Sequence, residues 1–130
     1  MLRRILLLIV LAGLLVPTVG CGSKQIILTS ADNGKKLNVK AGEQIVVELD
    51  GNPSTGYTWE AQDLDASMIR QVGEAEFKSS NPGVIGAGGT LTLKFMTLQA
   101  GTTSLALVYH RPWETGVKPL SSFTTAITVK

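Results

Sequence analysis

The chain has one cysteine, Cys21, and one histidine, His110, in 130 residues. Without a second thiol there is no intramolecular disulfide, so packing alone must hold the fold. One imidazole supports neither a His-bearing metal cluster nor, with Cys21 so near the amino terminus, a Cys–His nucleophilic pair. No metal and no cofactor are expected. Asp63 and Asp65 stand two apart, but they read as solvated turn residues rather than an acid–base pair, so catalysis is not expected either. Internal repeats and low-complexity tracts are also missing, and the length suits a single domain.

Long apolar runs are scarce too: there is one, Ile5 to Val16, preceded by Arg3 and Arg4 and closed by Pro17-Thr18-Val19-Gly20-Cys21. A charged start, a short apolar stretch and small residues at its end describe an export signal. Crossing a bilayer as a helix takes roughly 20 apolar residues, and Pro17 stops this run short of that. Thr18-Val19-Gly20-Cys21 resembles a bacterial lipobox, although Thr18 stands where Leu is usual. Residues 1–20 are therefore expected to be a lipoprotein signal peptide and Cys21 the lipid-bearing first residue of a domain spanning 21–130. The expected location is exported and lipid-anchored to the cell envelope, on its periplasmic or outer surface, with the domain held close to the membrane.

An excess of either charge is lacking as well. The chain has 12 basic and 10 acidic residues, and setting aside Arg3 and Arg4 leaves ten of each. No basic footprint remains for nucleic acid, and no polybasic patch for anionic lipid.

What is present is a period of two. Ile45, Val47 and Leu49 alternate with Val46 and Glu48; Tyr57, Trp59 and Ala61 with Thr58 and Glu60; Leu91, Leu93 and Phe95 with Thr92 and Lys94. Leu105, Leu107 and Tyr109 form another set, and Phe123, Thr125, Ile127 and Val129 close the chain. Val, Ile, Thr and aromatic residues in alternation suit half-buried strands. Gln25–Thr29 and Leu37–Val39 read as weaker, outer strands, and Leu64–Gln71 has a helical flavour limited by Gly73. Turn residues separate the runs, as in Asn81-Pro82-Gly83 and Gln99-Ala100-Gly101. Many short strands at regular spacing predict an all-β sandwich.

Strand parity then groups three loops. Each strand carries the chain from one end of a sandwich to the other, so two strands return it to the same end. On that count Asn52-Pro53-Ser54-Thr55-Gly56-Tyr57, Gly86-Ala87-Gly88-Gly89 and Arg111-Pro112-Trp113-Glu114 share one end, provided Gly73 does not split the strand between 67 and 78 into two reversing halves. Loops gathered at one end of a sandwich make a ready binding face. Taken singly, the first two are ordinary turn or bulge material. A Trp in a connecting loop, next to a Pro that removes a ladder donor, is harder to account for by structure alone.

Together, in this order, the three motifs resemble those of the chagasin-type inhibitors of cysteine peptidases: Asn-Pro-Thr-Thr-Gly-Tyr, Gly-x-Gly-Gly and Arg-Pro-Trp. The resemblance covers about residues 40–130, with Ser54 in place of a Thr, and nothing after Glu114 carries it. It implies an immunoglobulin-like β-sandwich and a reversible, non-covalent inhibitor that occludes the cleft of a papain-like cysteine protease, its partner, with loops 52–57, 86–89 and 111–114. It places Ser54, Thr55 and Gly56 over the catalytic cysteine of that protease, with Asn52 and Pro53 shaping the loop and Tyr57 among the protease-binding residues. It gives Gly86, Gly88 and Gly89 a backbone contact along the groove, Trp113 the role of anchor, and Arg111 and Pro112 supporting places. Glu114 reads as a rim charge worth little. A monomer is expected. The competing reading is an exported immunoglobulin-like adhesion or assembly module, which the fold alone supports equally well.

Overall fold

The computed structural model describes residue 20 and residues 22–130. The expected signal segment 1–19 and Cys21 lie outside the described residues. Nine strands follow: β1 (Gln25–Thr29), β2 (Lys36–Val39), β3 (Gln44–Gly51), β4 (Thr58–Gln62), β5 (Ile69–Gln71), β6 (Glu76–Ser79), β7 (Gly89–Thr97), β8 (Gly101–His110) and β9 (Ser121–Val129). They form two sheets. One has the order β1-β3-β7-β5 with β6 also on β7, and the other β2-β9-β8-β4.

The alternation seen in the sequence decides which face is buried. In β3 and β7, Ile45 lies opposite Phe95, Val47 opposite Leu93 and Leu49 opposite Leu91, so six apolar side chains point the same way. All six are buried, and they face Leu105, Leu107, Phe123 and Ile127 from β8 and β9, also buried. The layer between the sheets is the core, and among the described residues the buried hydrophobic side chains run from Leu28 to Val129. Phe95→Ala would empty its centre and cost about 3–5 kcal/mol. The two buried threonines are satisfied: Thr125 Oγ1 donates to the Lys35 carbonyl at 2.8 Å, and Thr97 Oγ1 lies 2.8 Å from the Lys40 carbonyl.

β1 and β2 are edge strands, as their weaker patterns suggest. Both pair in parallel, β1 with β3 and β2 with β9. Around Gly73 the chain does break into β5 and β6, but both pieces run antiparallel to β7 and so in one direction. Val72 bridges the gap by donating to the Lys94 carbonyl at 2.8 Å. The two pieces thus act as one return strand, and the parity count stands. The helical flavour of Leu64–Gln71 amounts to one turn. Met68 and Ile69 donate to the Asp65 carbonyl in a single turn, after which Ile69–Gln71 joins β7 as strand. Burial of Ile69 against the core outweighs local helix preference there. The only helical segments among the described residues are two 3₁₀ turns, Ser30–Asp32 and Pro53–Thr55.

Candidate functional site

Strands β3, β6 and β8 deliver their loops to the same end of the sandwich. The β3–β4 loop is built from its own residues. Asn52 caps the 3₁₀ turn Pro53–Thr55 with its Oδ1, which accepts from the Ser54 N–H at 3.2 Å and from the Ser54 hydroxyl. Pro53 takes the first helical position, where its missing N–H costs nothing. Thr55 Oγ1 donates to the Asn52 carbonyl at 2.6 Å. The turn ends on Gly56, whose φ of 82° lies in the left-handed region that favours glycine.

Two further links bind this loop to the others. Asn52 Nδ2 donates to the Gly86 carbonyl at 2.9 Å, joining the first loop to the glycine loop. Arg111 Nε donates to the Thr55 carbonyl at 3.0 Å, joining it to the Arg-Pro-Trp loop. The Arg111 guanidinium also stacks over the Tyr57 ring, 4.5 Å from its centroid, and Nη1 reaches Glu114 Oε1 at 3.1 Å. Trp113 lies against Gly56 so closely that a Cβ there would sit 3.0 Å from its Cζ2 and closer still to Cη2. All three segments are thereby one connected body.

An aromatic stack supports them from below. Trp59 is buried and its Nε1 donates to the Asp50 carbonyl at 2.9 Å. The Tyr109 ring stacks on it at 5.2 Å between centroids, and Tyr57 follows at 5.3 Å from Tyr109. Tyr109 also accepts at its hydroxyl from the Asn52 N–H, at 2.9 Å. Gly89 sits where three backbones crowd together: it pairs with Gly51 on one side and Ser79 on the other, and a Cβ would lie 2.8 Å from Ser79 Cα. The glycine loop is pinned at its base by Ser80, whose N–H donates to the Gly88 carbonyl at 3.0 Å.

Asn52, Pro53, Ser54, Thr55, Gly56, Tyr57, Gly86, Gly88, Gly89, Arg111, Pro112 and Trp113 therefore fall in loops or strand ends of one pole, as expected. Arg111 directs its polar and stacking contacts inside the domain, to Thr55 and Tyr57, and so positions the loops. Glu114 is not a free rim charge but the partner of Arg111. Trp113, by contrast, leaves 68% of its surface exposed although its ring edge touches Gly56. Sequence reasoning passed over Val84 and Ile85 at the tip of the glycine loop, both exposed and Ile85 fully so. The signal was there, in two adjacent aliphatic residues inside a Gly- and Pro-rich turn.

The hollow lined by Tyr57, His110, Arg111 and Glu114 holds about 10 Å³, room for about one water. His110 Nε2 lies 2.7 Å from Glu60 Oε2. No group of His, Cys, Asp and Glu among the described residues could hold a metal. The two carboxyls held below their ordinary range, Asp32 and Asp65, owe it to local hydrogen bonds away from these loops: Asp32 to the Thr29 N–H and Lys35, Asp65 to the Ser67 hydroxyl and N–H.

An immunoglobulin-like sandwich with a rigid, glycine-rich loop cluster and an exposed Trp at one end is a binding protein. The family model described as "Chagasin family peptidase inhibitor I42" matches residues 38–129. Amoebiasin-2 of Entamoeba histolytica is 29% identical over 104 residues, covering 80% of this chain and 85% of that protein. Chagasin of Trypanosoma cruzi is 33% identical over 91 residues, covering 66% of this chain and 81% of its own. Among solved structures, a cysteine protease inhibitor from Entamoeba histolytica superposes with a TM-score of 0.73 at 29% identity, over 85% of this chain and all of that one. The chain belongs to the chagasin family of peptidase inhibitors. It is an inhibitor, not an enzyme, and the adhesion-module reading is not favoured.

Proposed function

We propose that the chain inhibits papain-like cysteine proteases reversibly, by seating the joined loops 52–57, 86–89 and 111–114 in the active-site cleft. Cysteine proteases are the target class of the structural relative named above. The observation that carries the reading is the pair of links from Asn52 to Gly86 and from Arg111 to Thr55, which fix three loops relative to one another before any partner arrives. A loop cluster ordered in advance loses little entropy on binding. Such an interface buries about 800 Å² per partner and reaches nanomolar affinity when its anchors are well placed. Trp113 is the anchor, large, apolar and exposed. Ser54, Thr55 and Gly56 form the leading edge, where backbone rather than long side chains would face the protease thiolate.

The domain acts as a monomer, exported by residues 1–20 and lipid-anchored through Cys21. That reading rests on the layout of the leader. Neither nucleic acid nor a cofactor takes part. Residues 22–130 titrated against papain test the inhibitory reading. Competitive inhibition, full recovery of activity on dilution and no cleavage of the inhibitor are expected. Undiminished papain activity at saturating domain would overturn it.

A further inference from the structure

Residues 21–130 carry ten basic and ten acidic side chains, but the fold does not spread them evenly. Three lysines far apart in the chain meet at the pole opposite the loops. Lys24 precedes β1, Lys40 follows β2 and Lys130 follows β9. Strand register brings them there. β2 and β9 end in step at Val39 and Val129, and Ala41 donates to the Lys130 carbonyl at 3.1 Å. Gln44 donates to the Lys24 carbonyl at 3.1 Å, tying the start of β1 to the turn that follows Lys40.

The three lysines line a hollow of about 170 Å³ together with Asn38, Val39 and Glu43. Glu43 is the one carboxylate side chain lining it, with Oε2 occupied by the Lys40 N–H at 2.9 Å, and in residues 21–130 the α-carboxylate of Lys130 adds a second negative charge. Among the described residues, none of the three ammonium groups is in an ion pair. The balance of ten basic and ten acidic residues implied no basic patch, yet the fold makes neighbours of residues 24, 40 and 130.

Position gives the patch a meaning. Cys21 is three residues from Lys24, so its Cα lies within about 11 Å of that lysine's Cα even in a fully extended chain. That reach is close to the Debye length of roughly 8–10 Å over which an anionic surface attracts a cation. We propose that the Lys24–Lys40–Lys130 pole rests on an anionic lipid surface, tethered beside Cys21, and turns the inhibitory loops outward. The proposal rests on the membrane tether and is independent of the inhibitory reading. The lipid on Cys21 holds the domain at the membrane, and the basic patch beside it selects which pole faces the lipid.

The test uses residues 21–130, which contain every described strand and the whole core, with one acyl chain on the Cys21 thiol. Partition is measured on phosphatidylcholine vesicles with and without about 30 mol% phosphatidylglycerol, at roughly 0.1 M salt. Partition onto the anionic vesicles is expected to be about five-fold stronger, since three lysines at about five-fold each are opposed by Glu43 and the Lys130 α-carboxylate. Lys40→Glu with Lys130→Glu makes the patch net negative and should abolish that gain. Lys118→Glu, at the loop pole, should change it less than about two-fold. Equal partition onto both vesicles, or a loss as large with Lys118→Glu, would overturn the proposal. So would release by millimolar inorganic phosphate at constant ionic strength, because the hollow would then be a site for a free anion. Papain inhibition by the double variant in solution should match the wild type, which shows that its fold is intact. If the wild type partitions as expected yet fails to inhibit papain, only the inhibitory reading falls.

Discussion

Replacing Gly56 by alanine separates a connected wedge from three independent loops. At φ 82° an L side chain pays the left-handed penalty of about 1–2 kcal/mol, and urea unfolding should show that loss. The second effect is specific to this architecture. The new Cβ would fall inside contact distance of the Trp113 ring, so the ring must leave its seat. If Trp113 is an anchor worth about 2 kcal/mol or more, displacing it should raise the inhibition constant against papain by about thirty-fold. A double-mutant cycle isolates the link. In a Trp113→Ala background there is no ring to displace, so Gly56→Ala should then cost much less binding, with a coupling energy of about 1–2 kcal/mol. Inhibition constants from a fluorogenic substrate assay give all four corners of the cycle. Additive effects, with no coupling, would refute the reasoning, since the two residues would then act on the protease separately.

Other expectations follow from the same links. Asn52→Ala removes both the 3₁₀ cap and the bond to Gly86, so it should lower stability by about 1 kcal/mol in urea titration and weaken papain inhibition by at least about ten-fold. Tyr109→Phe keeps the stack but deletes the hydroxyl that receives the Asn52 N–H, and should cost about 1 kcal/mol of stability. Ile85→Asp should leave the urea midpoint unchanged, because the side chain is fully exposed, and weaken inhibition if the glycine loop lies in the interface, as a fluorogenic assay would read. Asp32 and Asp65 have folded-state pKa values below the ordinary 3.8, so the unfolded chain takes up their protons first. Their stabilising contribution is therefore present above pH 3.8 and lost as pH falls through the lowered values. Asp32→Asn with Asp65→Asn should flatten the acid limb of a stability–pH profile measured by urea midpoints.

Much of this fold could be read in the sequence because a half-buried strand announces itself by alternation. β3, β7, β8 and β9 carry that pattern across the core, and their register matches the apolar residues that define it. Leu64–Gln71 shows only a weak helical flavour, and the contact that makes Ile69–Gln71 a strand, pairing with β7 and burial of Ile69, is long-range. The loop motifs could be located, but their internal wiring could not. Nothing in Arg111-Pro112-Trp113 says that the Arg turns back to Thr55 while the Trp stays out, because that choice depends on the Thr55 carbonyl and the Tyr57 ring fifty-odd residues earlier. The lysine pole was invisible for the same reason, since its members meet only through strand register.

Protection of a protease's own nucleophile tests the central claim most directly. Papain saturated with residues 22–130 is treated with iodoacetamide, a reagent small enough to reach any uncovered thiol, and alkylation of the catalytic cysteine is followed by mass spectrometry. Loops seated over the thiolate should suppress labelling while leaving the enzyme fully active once the inhibitor is diluted away. A catalytic cysteine labelled at the free-enzyme rate, in papain that the domain has bound, would place the loops outside the cleft and contradict the account.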